Sequence, residues 1–148
     1  MLKVNNTGVK KVLFNNTIVH KVTVNGTTVF DDQCYVDWSV TYHSWGNRAG
    51  GIWTHFSASA YRNDSYPSVS AKIKVVTEDA DGSTNTKYYD LPLTDEQVST
   101  GGWSAGTYGN WKVWIYIKDK LLTSWDFGSH SELNYDYTYS GREYFYES

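Results

Sequence analysis

The side chains able to do covalent or metal chemistry are few and scattered. The 148-residue chain has four histidines, His20, His43, His55 and His130, one cysteine, Cys34, and 16 acidic residues. It contains no HExxH, no phosphate-binding glycine loop and no cysteine pair. The histidines stand far apart in sequence, and hydrolysis by a converging carboxylate pair is the one enzymatic chemistry the composition leaves open. Cys34 precedes an apolar stretch, which suits a buried structural thiol, and a lone cysteine forms no intrachain disulfide. Asp79-Ala-Asp-Gly-Ser83 has too few oxygen ligands for a calcium loop and reads as an acidic turn. The expectation is a protein that is not an enzyme and uses no metal or cofactor.

The side chains that can bind are aromatic. Tyr and Trp number 13 and 7, and aromatics make up 17% of the chain. In the alternating segment 52–62, Trp53, His55 and Tyr61 share the face opposite Ile52, Phe56, Ala58 and Ala60. In 110–118, Trp114 and Tyr116 lie opposite Trp111, Val113, Ile115 and Ile117. If these two strands are neighbours in one sheet, the five residues form an aromatic platform flanked by Lys112 and Lys118. Exposed rings of this kind stack on sugars or mark a protein contact. A third possibility is that the N-terminal segment covers them.

The elements that must carry these residues are strands. β-branched and aromatic residues dominate, helix formers are scarce, and there are only 2 Pro. Segment 35–42 alternates Val36, Trp38, Val40 and Tyr42 inward against Tyr35, Asp37, Ser39 and Thr41. The polar, Gly-rich stretch 43–51 reads as a connection. Segments 68–78, 86–91 and 121–127 follow as strands, and Leu133, Tyr135, Tyr137 and Tyr139 share an inward face before a closing strand 142–146. Thr94-Asp-Glu-Gln97 has the form of a capping box that opens one helical turn, ended by Gly101-Gly102. Clean alternation in seven or eight strands predicts an all-β antiparallel β-sandwich over 32–148, immunoglobulin-like or jelly-roll.

Residues 1–31 are organised differently, at a period of ten: Val4-Asn-Asn-Thr-Gly-Val9, Phe14-Asn-Asn-Thr-Ile-Val19 and Val24-Asn-Gly-Thr-Thr-Val29. Asn-Asn and Asn-Gly suit two-residue type I′ turns, so the unit predicts a β-meander of very short strands. Turn chemistry also explains the N-x-[ST] patterns at Asn5, Asn15 and Asn25; Asn63 begins a fourth. Three such strands bury little surface alone. Val4, Val9, Phe14, Val19, Val24 and Val29 are therefore candidate assembly contacts.

The string VKKVLFNNTIVHKVTVNGTTVF resembles the VNGxxVxKVxxNGxxV repeats of small structural proteins of tailed-phage virions. The resemblance covers about 30 residues of the chain. It implies a tail, baseplate, fibre or capsid-decorating component that works by protein–protein assembly, as a homo-oligomer or in many copies beside other virion proteins. The alternative is a carbohydrate-binding module that recognises cell-surface glycan. No leader-like segment opens the chain and no run is long and apolar enough to span a bilayer, so synthesis in the host cytoplasm, a place in the virion and no membrane insertion are expected. The net charge of −3 and scattered Lys and Arg do not suit nucleic acid.

Overall fold

The computed structural model describes residues 3–4, 7–9, 11–47, 49–63, 69–79, 81–103, 112–129 and 134–147. Asn5, Lys10, Ala80, Trp111, His130 and Leu133, which enter the readings above, lie outside the described residues. All the pairings are antiparallel. Two four-stranded sheets pack together as a sandwich, preceded by small hairpins.

The hairpins follow from the ten-residue unit. Strands β1 (Lys3–Val4) and β2 (Thr7–Gly8), β3 (Val12–Phe14) and β4 (Thr17–Val19), and β5 (Lys21–Val24) and β6 (Thr27–Asp31) form three separate two-stranded sheets. Asn15 and Asn16 have φ of 48° and 63°, and Asn25 and Gly26 have 48° and 78°. Both central residues of each turn are thus left-handed, as the I′ geometry requires. The expected continuous meander is instead a string of hairpins. One residue, His20, joins β4 to β5, too few to reverse the chain and pair consecutive hairpins.

The sandwich is made by β7 (Cys34–Asn47), β8 (Ala49–Arg62), β9 (Lys72–Glu78), β10 (Thr84–Asp90), β11 (Leu93–Trp103), β12 (Lys112–Ile117), β13 (Lys120–Asp126) and β14 (Tyr135–Phe145). The sheet orders are β10-β9-β12-β13 and β11-β8-β7-β14. Between them lies one apolar core that includes Val36, Val40, Tyr42, Ile52 and Phe56 from one sheet and Ile73, Val75, Val113, Ile115 and Ile117 from the other. The Tyr42 hydroxyl reaches Thr123 of the opposite sheet at 3.1 Å. Cys34 is fully buried, with its thiol 3.4 Å from the Asp32 carbonyl.

Three local expectations are corrected. The stretch 43–51 is not a loop, because β7 and β8 stay paired through Trp45↔Gly51, Gly46↔Gly50 and Asn47↔Ala49. Thr94–Gln97 forms no helical turn. It belongs to β11, whose register slips between Leu93 and Glu96 and again between Gln97 and Ser99, with Asp95 at φ 49°. There the edge of β8 satisfies the backbone, and Ser57 Oγ accepts the Asp95 amide at 2.9 Å. Finally, the last two expected strands are one. Gly141 continues β14 opposite Trp38, whose ring occupies the space a side chain would take.

Of the tyrosine row, Tyr137 and Tyr139 take the core-side face of β14 as their alternation indicates, but on this edge strand they stay 38% and 41% exposed. Tyr137 and Tyr139 lie opposite Tyr42 and Val40 and pack on Trp125, with ring centroids 4.9 and 6.0 Å away. The last hairpin meets the sandwich at a small junction. His20 donates from Nδ1 to Asp32 at 2.9 Å and stacks on Tyr146 at 3.8 Å, and the Asp32 amide donates to the His20 carbonyl.

Candidate functional site

The five aromatic-platform residues do not come together. Trp53, His55 and Tyr61 lie on β8, whereas Trp114 and Tyr116 lie on β12 of the other sheet. Both sets face outward, on opposite sides of the sandwich with the core between them. On the β12 side, Lys74 Nζ sits 4.5 Å from the Tyr116 ring centre, and Lys112 pairs with Glu78 at 3.4 Å. Lys118 is in the β12–β13 turn, where its amine donates to the Glu147 carbonyl.

A different and larger constellation forms around Trp53 on the outer face of β11-β8-β7-β14. In register across β14, β7, β8 and β11 stand Asp136, His43, Trp53 and Thr100. The Trp45 and His43 rings lie 5.5 Å apart and 26° from parallel, His43 and Trp53 4.7 Å and 26°, and Trp53 and His55 4.3 Å and 54°. Trp45 covers Gly51, where a Cβ would come within 2.4 Å of the indole ring. The ring rests on bare backbone and is 44% exposed.

The imidazoles in this row are oriented by carboxylates. His43 Nδ1 bonds Asp136, and His55 Nδ1 bonds Asp95 at 3.2 Å. A carboxylate only accepts, so each Nδ1 carries a proton, and in the neutral tautomer this leaves the acceptor on Nε2.

The other end of the face holds a tyrosine cluster. Tyr35 stacks on Tyr61 at 5.2 Å and lies 6.0 Å from Tyr144. The Arg142 guanidinium sits 4.2 Å over the Tyr35 ring and grips Asp37 with two bonds of 2.6 and 2.9 Å. That guanidinium holds the Asp37 carboxyl below its usual range and is itself pushed up.

Between the two ends the outward positions are short hydroxyls: Thr41 and Ser39 on β7, Ser57 and Ser59 on β8, Thr138 and Ser140 on β14. Thr41 and Thr138 bond each other at 3.0 Å. At the Tyr61 half of this strip the small side chains leave a shallow trough of about 390 Å³ past Asp37, Ser39, Ser57, Ser59 and Tyr61, reaching Leu93 and Thr94 of β11. Tyr61 is 46% exposed at its end, so the N-terminal hairpins leave both ends of the face uncovered. Eight residues of β8 separate Trp53 from Tyr61, roughly 26 Å at strand rise.

His43, Trp45, Asp95, Tyr144 and Asp136 were not among the expected site residues. Continuing the alternation of 35–42 through Trp45 puts His43 and Trp45 on this face, and Gly50-Gly51 signals space for a ring. The others depend on pairing between strands distant in sequence.

Of the assembly candidates, Phe14 is 71% and Val24 52% exposed, joined by Leu13 at 55%. Val9, Val19 and Val29 are half-buried, and Val4 of β1 pairs with Thr7 of β2. Among the described residues no three His, Cys, Asp or Glu side chains converge as a metal site. Comparison with known proteins adds no relative to this picture: no family model, no curated protein and no solved structure matches the chain.

Proposed function

We propose that this protein is a non-enzymatic structural component of a multi-copy particle, held in place by its N-terminal hairpins, as the repeats it resembles in tailed-phage virions would be. The observation that carries this reading is the state of the hairpins. Each is an isolated two-stranded sheet, and Leu13, Phe14 and Val24 point into solvent. Two-stranded hairpins are marginal on their own, and exposed large apolar residues repeated along a string are covered when copies or partner subunits pack against it.

The turns hold Phe14 and Val24 at a ten-residue spacing, so two strings from different copies can meet in register at more than one point. Each contact is small, and their sum gives avidity. The sandwich then projects from the assembled hairpins.

Light scattering on the full chain tests this. A multimer is expected, and Phe14→Asp combined with Leu13→Asp shifts it to monomer while the sandwich stays folded. A chain that is monomeric at high concentration and joins no particle overturns the reading.

A further inference from the structure

We propose that the outer face of β11-β8-β7-β14 is a binding site for an extended, neutral polysaccharide strand, laid along the strip of hydroxyls between the Trp45–Trp53 row and Tyr61. The inference is independent of the hairpins and of the assembly reading.

The layout selects the ligand. A protein–protein contact concentrates apolar and aromatic residues at its centre and polar ones at the rim. Here the order is inverted, with rings at the two ends and six Ser or Thr positions in the middle. A chain of pyranose rings matches that order. Its ring faces carry C–H groups that rest on indole and phenol rings, and its equatorial hydroxyls both donate and accept along the hydroxyl strip.

The polar groups at the ring ends fit the same partner. With Nδ1 tied to Asp136 and Asp95, His43 and His55 each keep Nε2 for a sugar hydroxyl, which can both donate and accept. The rings are held by one another and by Gly51, so little side-chain freedom is lost on binding.

Charge narrows the choice further. Among the described residues, the ionisable groups placed on this face are Asp37, Asp95, Asp136, Arg142 and the two histidines, three acids against one guanidinium. A phosphate- or carboxylate-bearing polymer is repelled, and a neutral one is not.

The test is a titration of the full protein with glucose and N-acetylglucosamine oligomers of three and six units, read by calorimetry and tryptophan fluorescence, with polygalacturonate as the anionic probe. The hexamer of at least one sugar is expected to bind. Trp53→Ala and Trp45→Ala each weaken it tenfold or more, and Tyr61→Ala weakens the hexamer but not the trimer. Tyr88→Ser, on the opposite sheet, leaves binding unchanged. Circular dichroism establishes that each variant is folded, and Tyr61, at an exposed end, keeps the test open if a tryptophan variant is not. The proposal is overturned if neither neutral hexamer binds, if the anionic polymer binds better, or if Tyr61→Ala and the folded tryptophan variants bind as the parent does. Loss of multimer mass without loss of sugar binding in Trp53→Ala would also overturn it, by making the face a subunit contact.

Discussion

The indole of Trp45 lies across the backbone of Gly51 on the neighbouring strand, so close that a Cβ at position 51 would meet Cζ2 and Cη2 at 2.4 Å. The pair closes one end of the aromatic row and extends the β7–β8 ladder to its tip. Gly51→Ala should lift the ring, lower stability by about 1–3 kcal/mol as overpacking does, and shift tryptophan emission towards that of solvent-exposed indole. Urea unfolding and a fluorescence spectrum check both effects.

The I′ turn at Asn25-Gly26 needs a positive φ that a side chain resists. Gly26→Val should cost the last hairpin about 1–2 kcal/mol. Amide exchange at Val22 and Phe30, cross-strand partners in β5 and β6, should accelerate while exchange in β7 and β8 does not change. Hydrogen-exchange mass spectrometry reads the two regions separately.

Burial pushes the Tyr42 phenol well above its usual range, against the smaller opposing effect of its bond to Thr123. A group whose folded pKa is raised stabilises the protein below its unfolded pKa, about 10 for tyrosine, and that contribution is lost as pH rises further. Stability should therefore fall above pH of about 10. Tyr42→Phe should cost about 1 kcal/mol at neutral pH through the lost hydrogen bond and show a smaller alkaline decline. Urea midpoints on either side of the tyrosine range check this.

Arg142 lowers the Asp37 pKa through its paired hydrogen bonds. The sign runs opposite to tyrosine: the contribution is present above the unfolded carboxylate pKa and disappears as pH falls through the folded value. The pair is solvent-accessible, so its worth is at most about 1 kcal/mol. In Arg142→Gln the Asp37 carboxyl should titrate closer to its usual range, as a side-chain carboxyl NMR titration would show. Loss of the cation over Tyr35 should also loosen the tyrosine end of the trough.

Thr54 is buried in the core with no hydrogen-bond partner for its hydroxyl among the described residues. Thr54→Val keeps the shape and removes an unsatisfied polar atom. Thermal unfolding should show a gain of about 1 kcal/mol.

The sandwich strands were legible because alternation is local and each strand has one buried face. Val36, Val40 and Tyr42, and Val113, Ile115 and Ile117, occupy the inward positions their spacing indicates. Glycines misled where they serve rings. Gly51 and Gly141 look like breaks in sequence, yet each lies in a strand under a tryptophan. The capping-box pattern at Thr94–Gln97 misled for another reason: pairing with β8 outcompeted a single isolated helical turn, whose nucleation is unfavourable.

By itself the sequence determined that the chain is all-β, which side of each clear strand faces the core, and where the N-terminal turns lie, since these depend on a residue and its near neighbours. Which outward aromatics share a surface was decided only by the tertiary structure. Trp53 and Trp114 have the same local pattern, but strand order sends them to opposite faces, and it brings Trp53 beside His43 and Trp45 instead. Strand order is set by how two sheets bury a common core, a property of the whole chain that no ten-residue window contains.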